Sequence, residues 1–453
     1  MISVRFNLLV QRNSKQGFSS GTFAVLLFLV LVLAFVANFP FASGEDVTNA
    51  RTNFQSPQRN DFWGGFAPFF YSLIPNTILD SNTIYAFLYL ALIGLGSFSI
   101  HRYLFIDEAI YTPLRNMLLL LLTLITALFT LQFSRDGTLL AFVWAGLGLF
   151  LLGSSKRKRS TLLPISLVLF VIGMSFRPWL GLSSIPLSVF LLARSNNFQR
   201  ISPQKITICF LGILALVVAP VLVDRTAAKI SNMEQSYPQQ QVMIMDTSAL
   251  ACLSASGYTS NESLRVLSSI SNLKNLSTAN LCSSFYPQSW ASVVFYQRSG
   301  PKEINPIRMI NPSEQEIYET FSREWIRLIL QHPKDYVQTK LMLSSQLLFA
   351  GDSRGDQSNF FQNLLMTPLS ILRDLRLFSV LPFSLLLIIF TRIRRESKSK
   401  IETLSIQTFY LAGVFSVALA FIGDNQRYLI PICLLTSLLI IVQRHISQEK
   451  HAL

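Results

Sequence analysis

The sequence predicts an all-α integral membrane protein of about ten transmembrane helices. Three observations predict it. Of 453 residues, 51% are hydrophobic and only 14% charged, against about 25% charged in a soluble domain. Apolar runs recur along the chain, several of them near the ~20 residues that cross a hydrocarbon core of about 30 Å. The basic residues gather between alternate runs, the pattern that cytoplasmic loops impose. The net charge of +14 follows from those loops. Lys and Arg form no single stripe, so nucleic acid is not expected as a partner. The 36 Phe suit lipid-facing and groove-lining surfaces.

Taken in order, Arg5, Arg12 and Lys15 precede the first run, residues 21–41, and put the N-terminus in the cytoplasm. A cleaved signal peptide fits less well, because the run is longer than an h-region and no A-x-A site follows Pro40. Two adjacent acids, Glu45 and Asp46, come directly after this run and face outward. Residues 47–82 are then the first outer loop. Its stretch 60–71 is rich in aromatics and glycine and predicts a short helix lying on the outer leaflet.

The second span is 83–100, followed by an inner loop bracketed by Arg102 and Arg115. The third runs over about 116–133, the fourth over 138–153, with the tight outer turn Ser134-Arg135-Asp136-Gly137 between them. Lys156-Arg157-Lys158-Arg159 is the clearest inside marker. Residues 161–176 and 180–193 flank Arg177-Pro178-Trp179 and are short for full spans, so they form either two spans or an inward-tilted hairpin. Arg194, Arg200 and Lys205 close the inner side before the seventh span, 206–223. The eighth, ninth and tenth spans fall at 375–390, 403–422 and 429–442, with a basic cluster from Arg392 to Lys400 and a last outer turn holding Asp424, Arg427 and Tyr428.

Between these lies a polar segment too long for a connector. The chain divides into 1–223, an N-terminal membrane domain of about seven helices; 224–338, an extracytoplasmic unit of helices; and 339–453, an interfacial segment plus about three spans. Within the unit, 322–330 reads as amphipathic helix ended by Gln331-His332-Pro333. Residues 336–350 are apolar but short and contain Lys340, and are expected to lie at the interface or to re-enter the membrane. Cys252 and Cys282 share the unit and are either a disulfide or two unpaired thiols. Cys209 and Cys433 lie in apolar runs as packing residues, and no Cys/His metal spacing occurs.

With sidedness assigned, charge recurs at the outer turns: Glu45 and Asp46, Arg135 and Asp136, Arg177, Asp224 and Arg225, Asp424 and Arg427. Charge next to hydrocarbon is costly and usually functional. Arg presents a planar fork that takes phosphate oxygens bidentately, so a lipid phosphate would suit Arg427, Arg135 and Arg177. Simple pairing, Arg135 with Asp136 and Arg427 with Asp424, is the structural alternative. Two adjacent carboxylates repel, which raises one pKa, and an acid poised near working pH is a usable general base. Asp246 lines an acceptor groove or caps a helix starting near Leu250. His332 is expected to be structural, and Asn261-Glu262-Ser263 and Asn275-Leu276-Ser277 are glycosylation sequons by pattern only.

These features together resemble the GT-C superfamily of polytopic glycosyltransferases. The resemblance is carried by Glu45-Asp46 in the first outer loop, the Arg135-Asp136 turn, Phe176-Arg177-Pro178, the soluble loop, and Gly423-Asp424 with Arg427-Tyr428 and Pro431. It implies a polyprenyl-phosphate sugar donor, a membrane-lipid setting and a glycan, lipid or protein acceptor. It also implies a first-loop acid, Asp46 or Glu45, as catalytic base, and a site on the extracytoplasmic face of the plasma membrane, with both termini cytoplasmic. Arg427, Arg135 and Arg177 would hold the donor phosphate, and Asp136, Asp246 and Tyr428 would serve the acceptor or its loop. Some proteins of this architecture use a divalent cation, for which this sequence carries no signature. The chain departs from the family in lacking an aromatic residue beside the acid pair and a large C-terminal domain. A polysaccharide polymerase or O-antigen ligase is the nearest competing enzyme. A lipid or glycan transporter ranks last, since no matching halves with broken mid-membrane helices are present.

Overall fold

The computed structural model describes residues 19–39, 41, 45–56, 59, 64–74, 81–107, 113–154, 161–178, 181–194, 203–235, 237, 240–269, 277–285, 315–345, 383–385, 387–388, 400–420 and 429–443. Among them every regular element is helical. The N-terminal half contains α1 (Ser20–Asn38), α2 (Glu45–Gln55), α3 (Phe66–Ser72), α4 (Ser81–Asp107), α5 (Pro113–Thr130), α6 (Arg135–Gly153), α7 (Leu162–Ser175), α8 (Gly181–Arg194) and α9 (Pro203–Ile230). Then come α10 (Gln240–Leu253), α11 (Gly257–Ser268), α12 (Thr278–Ser284), α13 (Gln315–Gln331), α14 (Pro333–Ser345), α15 (Lys400–Ala420) and α16 (Leu429–Val442).

Four of these helices are long and apolar enough to cross a membrane: α1, α4 over Ser81–Phe105, α5 and α6. Helices α7 and α16 are apolar but shorter. Val25, Phe28 and Leu29 on α1, and Met117 and Leu121 on α5, are exposed. Apolar helices with bare apolar faces are those of a membrane-associated α-helical protein.

Helix α6 is the axis of the bundle, with 94% of its most apolar window enclosed. It packs most extensively on α4 and α7. Without hydrophobic drive between helices in lipid, close packing and polar bridges must hold them together. Both are present. Gly96 of α4 and Gly148 of α6 meet backbone to backbone, so that a Cβ on Gly148 would collide with the Gly96 carbonyl oxygen. Beside them Trp144 Nε1 donates to Ser97 Oγ at 2.9 Å, and Ser97 shares a 2.8 Å bond with Thr123 of α5.

Contacts sort the helix termini into two ends. At one end His101 stacks on Phe23 at 4.0 Å, Arg102 donates to Ser20 Oγ and Arg115 donates to the Gln443 carbonyl at 2.8 Å. At the other, Phe41 beyond α1 packs on Phe133 between α5 and α6, and Tyr71 of α3 bonds Thr138 of α6.

Several boundaries differ from expectation. Helix α4 runs well beyond 83–100, through Arg102 to Asp107. Helix α9 continues past residue 223 to Ile230, so Asp224 and Arg225 are helical and do not open a loop. It ends where Asn232 takes φ 49 and the Met233 N–H returns to the Ala228 carbonyl, a left-handed cap that Asn tolerates. The apolar stretch from Tyr336 belongs to α14, which packs on α10; the proposed boundary at 338/339 therefore falls inside a helix. Residues 1–18, most of 375–390 and the turn with Asp424, Arg427 and Tyr428 lie outside the described residues.

A second core, separate from the bundle, joins α10 to α14 around Ile244, Met245, Leu267, Leu281 and Phe321. Cys252 and Cys282 are bonded, tying α10 to α12.

The glycine contact yields a direct test. Gly148→Val should lower thermal stability of the purified protein by about 1–3 kcal/mol through overpacking, whereas Gly257→Ala, which meets open space, should leave the melting temperature within error.

Candidate active site at the α2–α3 end of the bundle

The acid pair opens a helix. Glu45 and Asp46 are the first two residues of α2, which follows α1 by a short connection. Their side chains lie outside the described set. Helix α2 is fixed in place by its other side chains: Val47 and Ala50 are fully buried, and Arg51 Nη1 donates to Asn82 Oδ1 at 2.9 Å. Asn82, at the start of α4, donates in turn to the Phe41 carbonyl at 3.3 Å. The guanidinium of Arg51 also lies over the Tyr85 ring, 5.6 Å from its centroid.

Helix α3 carries the expected aromatic stretch. Its entry depends on two glycines. Gly64 has φ 80, and a Cβ on Gly65 would collide with the Asp224 carbonyl and the Ala228 nitrogen. Only residues without side chains let this turn sit on α9. The Phe66 N–H then donates to Asp224 Oδ1 at 2.9 Å. Beyond it, Phe66, Phe70 and Tyr71 pack edge-on or tilted against Phe176, and Phe70 also meets Tyr85 and Phe142.

Thr138 collects the hydroxyls. Its single proton goes to the Ser134 carbonyl at 3.1 Å. The Tyr71 and Tyr89 hydroxyls share hydrogen bonds with Thr138 Oγ1 at 2.7 and 2.8 Å.

At the centre of this end lies a buried ion pair. Arg177 Nε and Nη2 donate to Asp136 Oδ1 and Oδ2 at 2.7 and 2.9 Å. The two side chains are 6% and 2% exposed. Asp136 sits in the first turn of α6, capped by Ser134 through the Gly137 N–H, where the helix dipole favours an anion. Beyond the neighbour pairing that the sequence offered as an alternative, Asp136 takes a partner 41 residues away. Adjacent residues on a helix diverge in direction, while Arg177 arrives from the end of α7. Two nitrogens of Arg177, expected to serve a donor phosphate, grip a carboxylate of the protein. Arg135 is half-buried beside the pair.

The helix-start reading of Asp246 does not hold. It lies inside α10, not at a helix start. It is 1% exposed and receives hydrogen bonds from Lys340 Nζ at 2.7 Å and Tyr336 at 3.0 Å. These α14 groups override the local capping preference. The Asp246 cluster belongs to the second core, apart from the acid pair. Burial pushes the Asp246 carboxyl above its ordinary value, with Lys340 opposing, and burial, then the Asp246 charge, raise the Tyr336 phenol. Nearby, His332 at the α13–α14 break bonds Glu262 at 2.8 Å and Thr259 at 3.2 Å, a structural use of this histidine.

Sequence reasoning passed over Arg51, Asn82 and Tyr85. The signal was present: an Arg one and a half turns after an acid pair, in a segment with no other cation before Arg59. Among the described residues no three His, Cys, Asp or Glu side chains converge where a cation could sit. No family model matches the chain, and neither a curated protein nor a solved structure matches it. Fold and site together define an all-helical, membrane-associated protein with a buried charged and aromatic cluster at one end of its bundle.

Two measurements follow. Asp136→Ala or Arg177→Ala leaves one buried charge alone and should cost about 3–5 kcal/mol, read as a large fall in melting temperature, while Asp136→Leu with Arg177→Met should recover part of it. A phenol whose folded pKa is raised contributes stability that is present below its ordinary value near 10.0 and is lost as pH rises above that value. The melting temperature should therefore fall on going from about pH 8 to about pH 11, and Tyr336→Phe should flatten that slope.

Proposed function

We propose that this chain is an inverting glycosyltransferase that takes a sugar from a polyprenyl-phosphate donor at the extracytoplasmic face of the plasma membrane. In this reading it is a GT-C-like protein of about ten spans with both termini cytoplasmic. The observation that carries the proposal is the placement of Glu45 and Asp46. They begin a helix whose buried face, through Val47 and Ala50, seats it at the end of the first apolar helix. Carboxylates on a seated helix can act at a fixed depth, which an untethered loop cannot provide.

The chemistry is one displacement. Asp46, assisted by Glu45, accepts the proton of an acceptor hydroxyl. The freed oxygen attacks the anomeric carbon, the bond from that carbon to the phosphate oxygen breaks, and polyprenyl phosphate leaves with the electron pair. Arg427 and Arg135 hold the leaving phosphate, with Tyr428 near the acceptor; Arg177, being engaged by Asp136, braces the start of α6.

The test is transfer activity of purified protein with a small panel of polyprenyl-phosphate sugars. Asp46→Asn should lower the rate at least about 100-fold, the usual scale of a lost general base, while the protein still inserts and binds donor; Glu45→Gln should cost less. Full activity in both variants would remove the acid–base mechanism.

A further inference from the structure

Arg51 and Arg177, both at this end of the bundle, are held in contrasting ways. Arg177 applies its Nε/Nη2 edge to both oxygens of Asp136. Arg51 is anchored through Nη1 to Asn82 and through its face to Tyr85. Its Nε and Nη2 are buried and have no hydrogen-bond partner among the described residues. The edge that Arg177 fills with a carboxylate is the edge that Arg51 leaves unfilled.

Helical register does not supply the missing anion. The positions three and four residues from Arg51 on α2 are Val47, Thr48, Phe54 and Gln55, and only such positions are side-chain neighbours on a helix. Glu45 and Asp46 lie six and five residues away, off that face. A guanidinium nitrogen removed from water without an acceptor is costly, and Asn82 and Tyr85 fix this one so that it cannot turn back to solvent. The arrangement suits a bound acceptor with two oxygens in one plane, and the fork geometry matches phosphate.

We infer that Arg51 forms an anion subsite that takes a phosphate group through its Nε/Nη2 edge, with Asn82 and Tyr85 as positioning residues. The phosphate of a lipid headgroup and free phosphate share this chemistry. The subsite does not depend on sugar transfer: any phosphate-headed lipid reaching the α2–α3 end would fill it. Arg51 as a whole is half-buried, so the anion enters by displacing neighbouring side chains, and equilibrium binding is the proper readout.

The experiment uses the full chain in detergent, titrated with farnesyl phosphate, inorganic phosphate and acetate. Binding is read by calorimetry and melting temperature is recorded without ligand. The wild type should bind farnesyl phosphate. Arg51→Gln should weaken it by about tenfold or more, since a charge-assisted bidentate contact is lost. Arg51→Lys, which keeps the charge without the fork, should fall between. Without ligand, Arg51→Gln should melt close to the wild-type temperature, because removal of the buried unfilled edge offsets the lost contacts with Asn82 and Tyr85. Equal affinity for inorganic and farnesyl phosphate upholds the subsite and assigns it to free phosphate; preference for the farnesyl compound assigns it to lipid. Unchanged affinity in both variants, acetate bound in place of phosphate, or an Arg51→Gln protein that no longer folds would overturn the proposal. An Asp46→Asn protein that binds farnesyl phosphate normally but transfers no sugar keeps the two ideas separately testable.

Discussion

The bidentate contact between Arg177 and Asp136 is the constraint on which this end of the molecule depends. Two charges are taken out of water together, and their mutual attraction offsets the desolvation only because both oxygens and two nitrogens are matched. The pair fixes the end of α7 against the start of α6. Around it the aromatic rings of Phe66, Phe70, Tyr71, Tyr85 and Phe176 find their edge-on positions, and Thr138, two residues beyond Asp136, gathers the hydroxyls of Tyr71 and Tyr89. Loss of the pair would remove the support on which α3 rests, and with it the seat of α2.

Much of this was legible in the sequence because length and composition are nearly sufficient for a lipid-facing helix. The apolar runs, the Ser134 turn, the break at His332-Pro333 and the helix over the aromatic loop can each be read from local residues. The pairing across 41 residues could not. Nothing local points Asp136 to Arg177; the pairing depends on the direction in which each side chain leaves its helix. The position of Asp246 escaped for the same reason. Its sequence context favours a cap, and only the arrival of Lys340 and Tyr336 from α14 stabilises a carboxylate in mid-helix. Helix ends such as that of α9 also ran past expectation, because Asp224 finds its partner in the Phe66 N–H and so tolerates a helical position near the end of an apolar segment.

The candidate site was legible in outline and not in detail. Charge at successive turns pointed to one end of the bundle, and Asp136, Arg177, Asp224 and α2 do gather there. Arg51 follows the acid pair in the sequence, but that spacing alone does not show how its guanidinium is held. Its character comes from Asn82 and Tyr85, which hold one nitrogen and one face and leave the remaining edge buried without an acceptor. Whether an arginine is structural or ligand-directed is thus decided by neighbours 31 and more positions away, beyond the reach of any local motif.

The contact between Gly96 and Gly148 has a mechanical consequence. Where two backbones touch with no side chain between them, there is no compliant layer to absorb sliding or rotation. Helices α4 and α6, braced further by Trp144 and Ser97, are thereby locked together as one packed unit.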